Sequence, residues 1–411
     1  MPAAFDAAAF VVPLDLRGCP RLSFRAAVNP LDEHHAALAE ALAARERAGL
    51  LRRKQAPRGL VDLASNDYLG LAAHPHLIER TCEAVMSLGV GSGRSRLLTG
   101  EGDAFTELEE RLAAFSGTEA ALLFGSGYAA NLGLLTATVG WEDVVLSDHS
   151  SHASLIDGIR LTGARKVVYP HADVAAIGAA LRQPHAGRAF VVTESVFSMD
   201  GDLAPLADIV ETAERHGALV IVDEAHATGL FGVRGAGLIE ELGLSQRVLA
   251  TVHSGGKALG SAGGWVAGSR LLIDTLAQTA RPFIFTTAPM PALAGALDAA
   301  LDIVAAEPER RAEVHRKARL LRGALSSRGA LTSVHSSPIL PLRVGENDAV
   351  AVQEALVAEG FDCRAVRPPT VPQGTERLRV TVRSPVADQD LLRFADVASR
   401  LLQAPYAVRA R

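Results

Sequence analysis

From about residue 104, short apolar runs alternate with amphipathic stretches. The runs lie at Ala120–Phe124, Asp143–Leu146, Lys166–Tyr169, Ala189–Thr193, Leu219–Val222 and Val248–Val252. Between them sit stretches of helical length such as Ala129–Thr138, His152–Thr162 and Pro205–His216. Short strands separated by helices predict βαβ units and a mainly parallel sheet, to which Gly264–Gly268 adds a seventh strand. After Pro291 the pattern changes to Ala/Leu/Arg-rich helices running through Leu325. A strand (Pro338–Val344), a helix (Ala349–Glu359), a strand (Arg377–Val382) and a helix (Asp388–Leu402) follow. Upstream, Leu31–Lys54 reads as a helix and Leu60–Leu63 as a short strand. The expected organisation is an N-terminal segment and helix (1–60), a large α/β domain (61–305) and a smaller α+β domain (306–411), divided near Glu307-Pro308.

Composition narrows the class. A chain of 411 residues, 48% hydrophobic and 21% charged, buries a sizeable core without staples. The net charge of −5 is spread without a basic block, which argues against nucleic acid or an anionic membrane as partner. Cys19, Cys82 and Cys363 are odd in number and far apart, as expected of free thiols in a reducing compartment. Met1–Leu16 makes a poor signal peptide, and no apolar run approaches membrane-spanning length. A cytoplasmic location is the expectation.

Three features fall just beyond predicted strand ends, where open α/β sheets place their ligands. Phe124-Gly125-Ser126-Gly127-Tyr128-Ala129-Ala130-Asn131 is a Gly-rich turn into a helix, suited to an anion. Gly125-x-Gly127-x-x-Ala130 also fits a dinucleotide fingerprint, with Asp148 placed to hold a ribose, so a nicotinamide dehydrogenase is a competing reading. Leu219–Val222 ends in Asp223-Glu224-Ala225-His226, placing a carboxylate at the mouth of a dry pocket, where it needs a cation. A helicase box is excluded because no complete Gly-x-x-x-x-Gly-Lys-Ser/Thr loop accompanies it. Ser254-Gly255-Gly256-Lys257-Ala258-Leu259-Gly260 sets a lysine among small residues, where desolvation would make its amine nucleophilic. The Asp148–His152 run lacks zinc-ligand spacing, and no metal is expected. An anion site, a carboxylate and a lysine around one planar nitrogen ring match what pyridoxal phosphate (PLP) requires.

The chain also resembles the α-oxoamine synthases, from about Arg45 to its end. The matching segments are Ser65–Leu71, Gly91-Ser92-Gly93, Ser126–Asn131, Ser151–Ser154, Glu194–Asp202, Val222–His226, Gly256–Gly260, Thr286-Thr287, Pro368–Pro372 and Arg377-Leu378-Arg379. The resemblance implies a PLP-dependent transferase fold of the aspartate aminotransferase type (fold type I) and a homodimer with shared active sites. It implies that Lys257 carries the cofactor and acts as base, that Asp223 holds the ring nitrogen, and that His152 stacks on the ring. His226 and Ser198 would contact the ring oxygen, and His226 also the acyl carbonyl. Gly127 and Tyr128 amides with Ser254 would hold the phosphate, joined by Thr286 and Thr287 from the second subunit. Arg379, Asn66, Arg52 and Thr370 would bind substrate, with Arg53 an alternative to Arg52. The implied reaction joins a small amino acid to an acyl thioester, on coenzyme A or a carrier protein, with loss of CO2. The Pro368–Pro372 and Phe197–Asp202 runs look most like the member that joins L-alanine to a pimeloyl thioester for biotin synthesis. Trp265, Phe105 and Arg94 depart from the family pattern and leave the acyl-chain choice open, though not the cofactor chemistry.

Overall fold

The computed structural model describes residues 29–52, 59–331, 335–345, 348–368 and 370–403. The expectations for Met1–Leu16, Cys19, Arg53 and Pro369 lie outside them. The chain divides into two compact units, Met1–Ala56 and Pro57–Arg411. The first holds helix α1 (Pro30–Arg47), which Asn29 caps by accepting the Leu31 N–H at 3.1 Å. Asp32 and Glu33 in its first turn and Arg45 and Arg47 in its last complement the helix dipole.

The second unit opens with β1 (Val61–Asp62), α2 (Pro75–Leu88) and α3 (Asp103–Ser116), then alternates strand and helix. In order come β2 (Ala120–Phe124), α4 (Gly127–Thr138), β3 (Val144–Asp148), α5 (Ala153–Thr162), β4 (Arg165–Tyr169) and α6 (Val174–Leu181). They continue with β5 (Ala189–Glu194), α7 (Leu206–Arg215), β6 (Leu219–Asp223), α8 (Leu238–Glu241), β7 (Ala250–Ser254) and β8 (Gly264–Gly268). Helices α9 (Arg270–Thr279), α10 (Arg281–Ile284), α11 (Pro291–Ala306) and α12 (Pro308–Ser326) lead to β9 (Ile339–Arg343). Then come α13 (Ala349–Ala358), β10 (Phe361–Asp362), β11 (Arg364–Val366), β12 (Arg377–Thr381) and α14 (Asp388–Gln403).

Seven strands form one sheet in the order β2-β8-β7-β6-β5-β3-β4, parallel except for β8, which runs antiparallel to both neighbours. Its central strands are buried on both faces. Val191, Val220 and Val222 enter one apolar cluster, while Phe190, Val192 and Ile221 enter the opposite one. That alternation is the two-residue period of a strand covered by helices on both sides. Edge strand β4 instead exposes Arg165, Lys166 and Val168.

The sheet order removes the dinucleotide reading. β2 and β3 are separated by β8, β7, β6 and β5, so Asp148 ends a strand remote from the Gly125–Gly127 turn rather than the one beside it. Asp148 is also fully engaged elsewhere.

A second, antiparallel sheet has the order β11-β12-β9 and its own core of Leu321, Leu340, Leu342, Leu378, Val380 and Phe394. Leu63 joins that core, because β1 pairs with β10 and the Leu63 N–H donates to Asp362 O at 2.8 Å. The loop that follows β1, which forms a two-stranded sheet with β10, therefore starts at the core of the small sheet and ends in the pocket. Trp265 is wholly buried, stacked on His253 with centroids 4.8 Å apart, and donates to Ser116 Oγ at 3.1 Å. Phe105 is likewise core, with the Arg96 guanidinium 5.1 Å from its centroid. Both are taken up by packing within the core. Arg94 is exposed and donates to Thr99 Oγ1 at 2.9 Å.

Candidate active site

Strands β2, β3, β5, β6 and β7 end on one edge of the sheet, at Phe124, Asp148, Glu194, Asp223 and Ser254. In register, Glu194 lies opposite Asp223, and Asp223 opposite Val252. The antiparallel β8 brings Gly264 to Ser254 and pulls the head of α4 close, through the Ser126–Gly263 bridge.

Gly127 and Tyr128 are the first two residues of α4, whose N–H groups have no partner within the helix. Ser126 caps the same end, accepting the Ala129 N–H at 3.1 Å. A Cβ on Gly127 would project to 3.5 Å from Ser254 Cβ and 3.7 Å from its Oγ. The space between helix head and strand end is thus kept open by a missing side chain and bordered by amides and a hydroxyl. An anion fits there.

Asp223 is buried, and its carboxylate is held from two sides. Oδ1 accepts the Ala225 N–H at 2.8 Å and Oδ2 accepts Asn131 Nδ2 at 2.7 Å. Asn131 Nδ2 also donates to Ser154 Oγ at 2.9 Å, and Ser154 Oγ lies 2.8 Å from His152 Nδ1. The Ser154 N–H donates to the same Nδ1 at 3.3 Å, so Nδ1 is an acceptor and the neutral ring carries its proton on Nε2. Burial holds His152 below its usual range, with Lys257 adding to the effect and Asp223 opposing it. Its own N–H donates to Glu194 Oε1 at 2.7 Å. Burial, reinforced by Asp223, pushes the Glu194 carboxyl up to about 8.

Lys257 sits three residues past β7. Burial lowers its amine, Arg379 adds to that, and Asp223 and Glu194 oppose it. The amine, both acids and the Arg379 guanidinium therefore lie within electrostatic reach of one another. His226 is pushed well below its usual range by burial and by the cations Lys257 and Arg379, which leaves it neutral. Its Nδ1 lies 2.8 Å from the Tyr68 hydroxyl.

The small sheet contributes Arg379 from β12. Its Nε donates to Ser198 O at 2.5 Å and its Nη1 to Asn66 Oδ1 at 3.0 Å. The Tyr68 hydroxyl is 3.3 Å from that same oxygen. One chain of contacts thus runs Arg379, Asn66, Tyr68, His226.

Of the expected residues, Lys257, Asp223, His226, His152, Ser198, Asn66 and Arg379 converge, and Gly127 meets Ser254. Tyr128 additionally presents its ring edge to His152, centroids 6.4 Å apart, and donates its hydroxyl to Asp157. Thr286, Thr287 and Thr370 lie on exposed segments, and Arg52 belongs to the other unit. The roles of Asn131, Ser154, Tyr68 and Glu194 escaped the sequence. A strand-ending carboxylate drew attention to Asp223, and the same signal was present at Glu194 and Asp148.

The family described as aminotransferase class I and II matches residues 58–397. An 8-amino-7-oxononanoate synthase from Anaeromyxobacter dehalogenans (strain 2CP-1 / ATCC BAA-258) is 50% identical over 329 residues, 79% of this chain and 82% of the relative. Another, from Mycobacterium sp. (strain JLS), is 46% identical over 385 residues, 92% and 97% of the two chains. Among solved structures, a serine palmitoyltransferase from S. paucimobilis with bound PLP–myriocin aldimine has a TM-score of 0.83 at 28% identity, covering 91% of this chain and 98% of that one. An 8-amino-7-oxononanoate synthase from Francisella tularensis has a TM-score of 0.74 at 26% identity, covering 83% and 97%. With this site on this fold, the chain belongs to the aminotransferase class I and II family and, within it, to the α-oxoamine synthases.

Proposed function

We propose that this protein is a PLP-dependent acyltransferase that condenses L-alanine with a pimeloyl thioester, releasing CO2 and the free thiol and giving 8-amino-7-oxononanoate for biotin synthesis. The observation that carries the reading is a buried Asp223 carboxylate held by Asn131 and the Ala225 N–H, with the Lys257 amine and the neutral His226 within electrostatic reach. The identity to 8-amino-7-oxononanoate synthases over most of the chain supports the choice of substrates. When bound, the cofactor supplies an aldehyde for an amine to condense with and a protonated ring that draws electrons from the adjoining carbon.

The residues present fit that group. Gly127 and Tyr128 amides and Ser254 Oγ would hold its phosphate, and Asp223 would keep its ring nitrogen protonated. His152 would pack on the ring, while Ser198 and His226 would hold its phenolic oxygen. Lys257, whose amine burial lowers from its usual range, is the amine that would attach the cofactor and later take the proton from the amino acid Cα at Nζ. His226 Nε2 would meet the acyl carbonyl, where a fixed dipole stabilises developing charge. Arg379 with Asn66 would take the amino acid carboxylate, a match for a guanidinium fork, and Thr370 would complete the substrate site.

Thr286 and Thr287 would reach the phosphate of a second copy, making the active unit a homodimer. Met86 (86% exposed), Val90, Leu98 (72%), Phe285 (69%) and Met290 leave an apolar surface for it. The Ala288 N–H to Arg94 O bond and the Ser92 hydroxyl to Pro289 O bond join the two segments that carry those residues. No described helix is long and apolar enough to cross a membrane. The free thiols of Cys82 and Cys363 support a cytoplasmic setting. The domain limits proposed are 61–305 and 306–411.

Reconstitution with pyridoxal phosphate should give a visible absorption band that borohydride abolishes. Lys257→Ala should still bind the cofactor but lose that band and turnover. A protein with no band, or an active Lys257→Ala, sinks the reading. Glycine, alanine and serine, each assayed with several acyl thioesters, then decide the substrates.

A further inference from the structure

One titratable cluster at the same sheet edge has no task in this chemistry. His171, two residues past β4, stands between two buried carboxylates. Its Nδ1 is 2.8 Å from Asp148 Oδ1 and its Nε2 is 2.6 Å from Asp202 Oδ2. Phe197 meets the ring edge-on, centroids 4.3 Å apart and planes at 82°. A neutral imidazole offers one N–H and one lone pair, so it would turn a lone pair on one of these acids. Only the imidazolium donates to both. The two hydrogen bonds push this histidine up to about 10. The groups facing it are Asp148 from β3, Asp202 and Phe197 from the segment after β5, with Tyr169 and Glu194 beyond Asp148.

The two acids anchor the two segments that would enclose the cofactor. Asp148 ends β3, and its carboxylate also accepts the Ser150 N–H at 2.7 Å and the Ala172 N–H at 2.9 Å. The loop it starts delivers His152. Asp202 closes the turn that carries Ser198, its carbonyl accepting the Phe197 N–H at 2.9 Å. His171 therefore reaches from the edge strand, across the end of β3, to the segment after β5.

We propose that His171 is a positioning residue whose imidazolium clamps the His152 loop to the Ser198 turn, fixing the walls of the cofactor pocket. This rests on the pocket being a pyridoxal-phosphate site. Because the His171 side chain is 32% exposed, a small molecule can enter the gap left by its removal.

The test uses full-length His171→Ala, titrated with pyridoxal phosphate and followed by induced circular dichroism of the bound cofactor. Affinity should fall roughly 10- to 100-fold, with a weaker dichroic band and cooperative unfolding retained. Imidazole should restore both, more weakly as pH rises past its own ionisation. 1-Methylimidazole fills the same space but donates from one nitrogen only, and it should restore neither. Unchanged affinity and dichroism in the variant, or equal rescue by the two compounds, overturns the clamp. Should the variant not fold, 15N-histidine-labelled wild type decides. It should keep one imidazolium signature at about pH 8.5, where ordinary histidines are neutral, and its absence overturns the clamp. Wild type that takes up no cofactor defeats the function itself, whereas bound cofactor with an unaffected variant defeats only this inference.

Discussion

Ala172 has φ +56°, a left-handed backbone that residues with a Cβ rarely adopt. The Asp148 carboxylate holds it there by its N–H, so a local cost of about 1 kcal/mol is borne to keep Asp148 in place. Asparagine tolerates this conformation better. Ala172→Asn should raise stability by roughly 0.5 to 1 kcal/mol, seen as a higher urea midpoint at unchanged slope. The neighbouring His171 sets a pH dependence. Its ionisation is raised from 6.5 to about 10 in the folded chain, so its contribution is complete below about 6.5. It is lost as pH rises through about 10. Unfolding free energy measured between those limits should fall with pH in wild type, and less steeply in His171→Gln. Lys257 and Asp223 were legible at this scale because one follows and the other ends an apolar run. Asn131 and Ser154 were not, since their role depends on two helices meeting, which no local pattern encodes.

The helix α4 and the strand β8 show how elements build what no single residue could. A Cβ at Gly264 would overlap the Gly127 N and Cα and lie 2.7 Å from His253 O. All of these are backbone atoms that cannot swing aside. Gly264→Ala should force β8 from the head of α4, costing about 1–3 kcal/mol of stability and weakening cofactor binding, measurable by denaturation and by titration. The strands themselves were readable from apolar runs, with small errors at their ends. Val248–Val252 was the expected span where Ala250–Ser254 is found, because Ser254, though polar, still pairs with Gly264. Strand order was not readable. Runs buried on both faces look alike, so the remoteness of β2 from β3, which settles the fate of the glycine motif, emerges only in three dimensions.

For the molecule as a whole, the expected assembly makes its own prediction. If Thr287 of one copy serves the phosphate of the other, Lys257→Ala and Thr287→Ala chains, each poorly active, should regain activity when mixed and refolded together. One heterodimer site then carries neither lesion, and no gain on mixing would argue against shared sites. Within one chain, the segment from β1 to Gly70 links the β1–β10 pair to the pocket. Its start is paired with β10, and Tyr68 and Asn66 stand between Arg379 and His226. Arg379 cannot release Asn66 without altering what Tyr68 offers the histidine. If Arg379 takes the substrate carboxylate and His226 meets the acyl carbonyl, as proposed, occupancy at one end is wired through two side chains to the proton chemistry at the other.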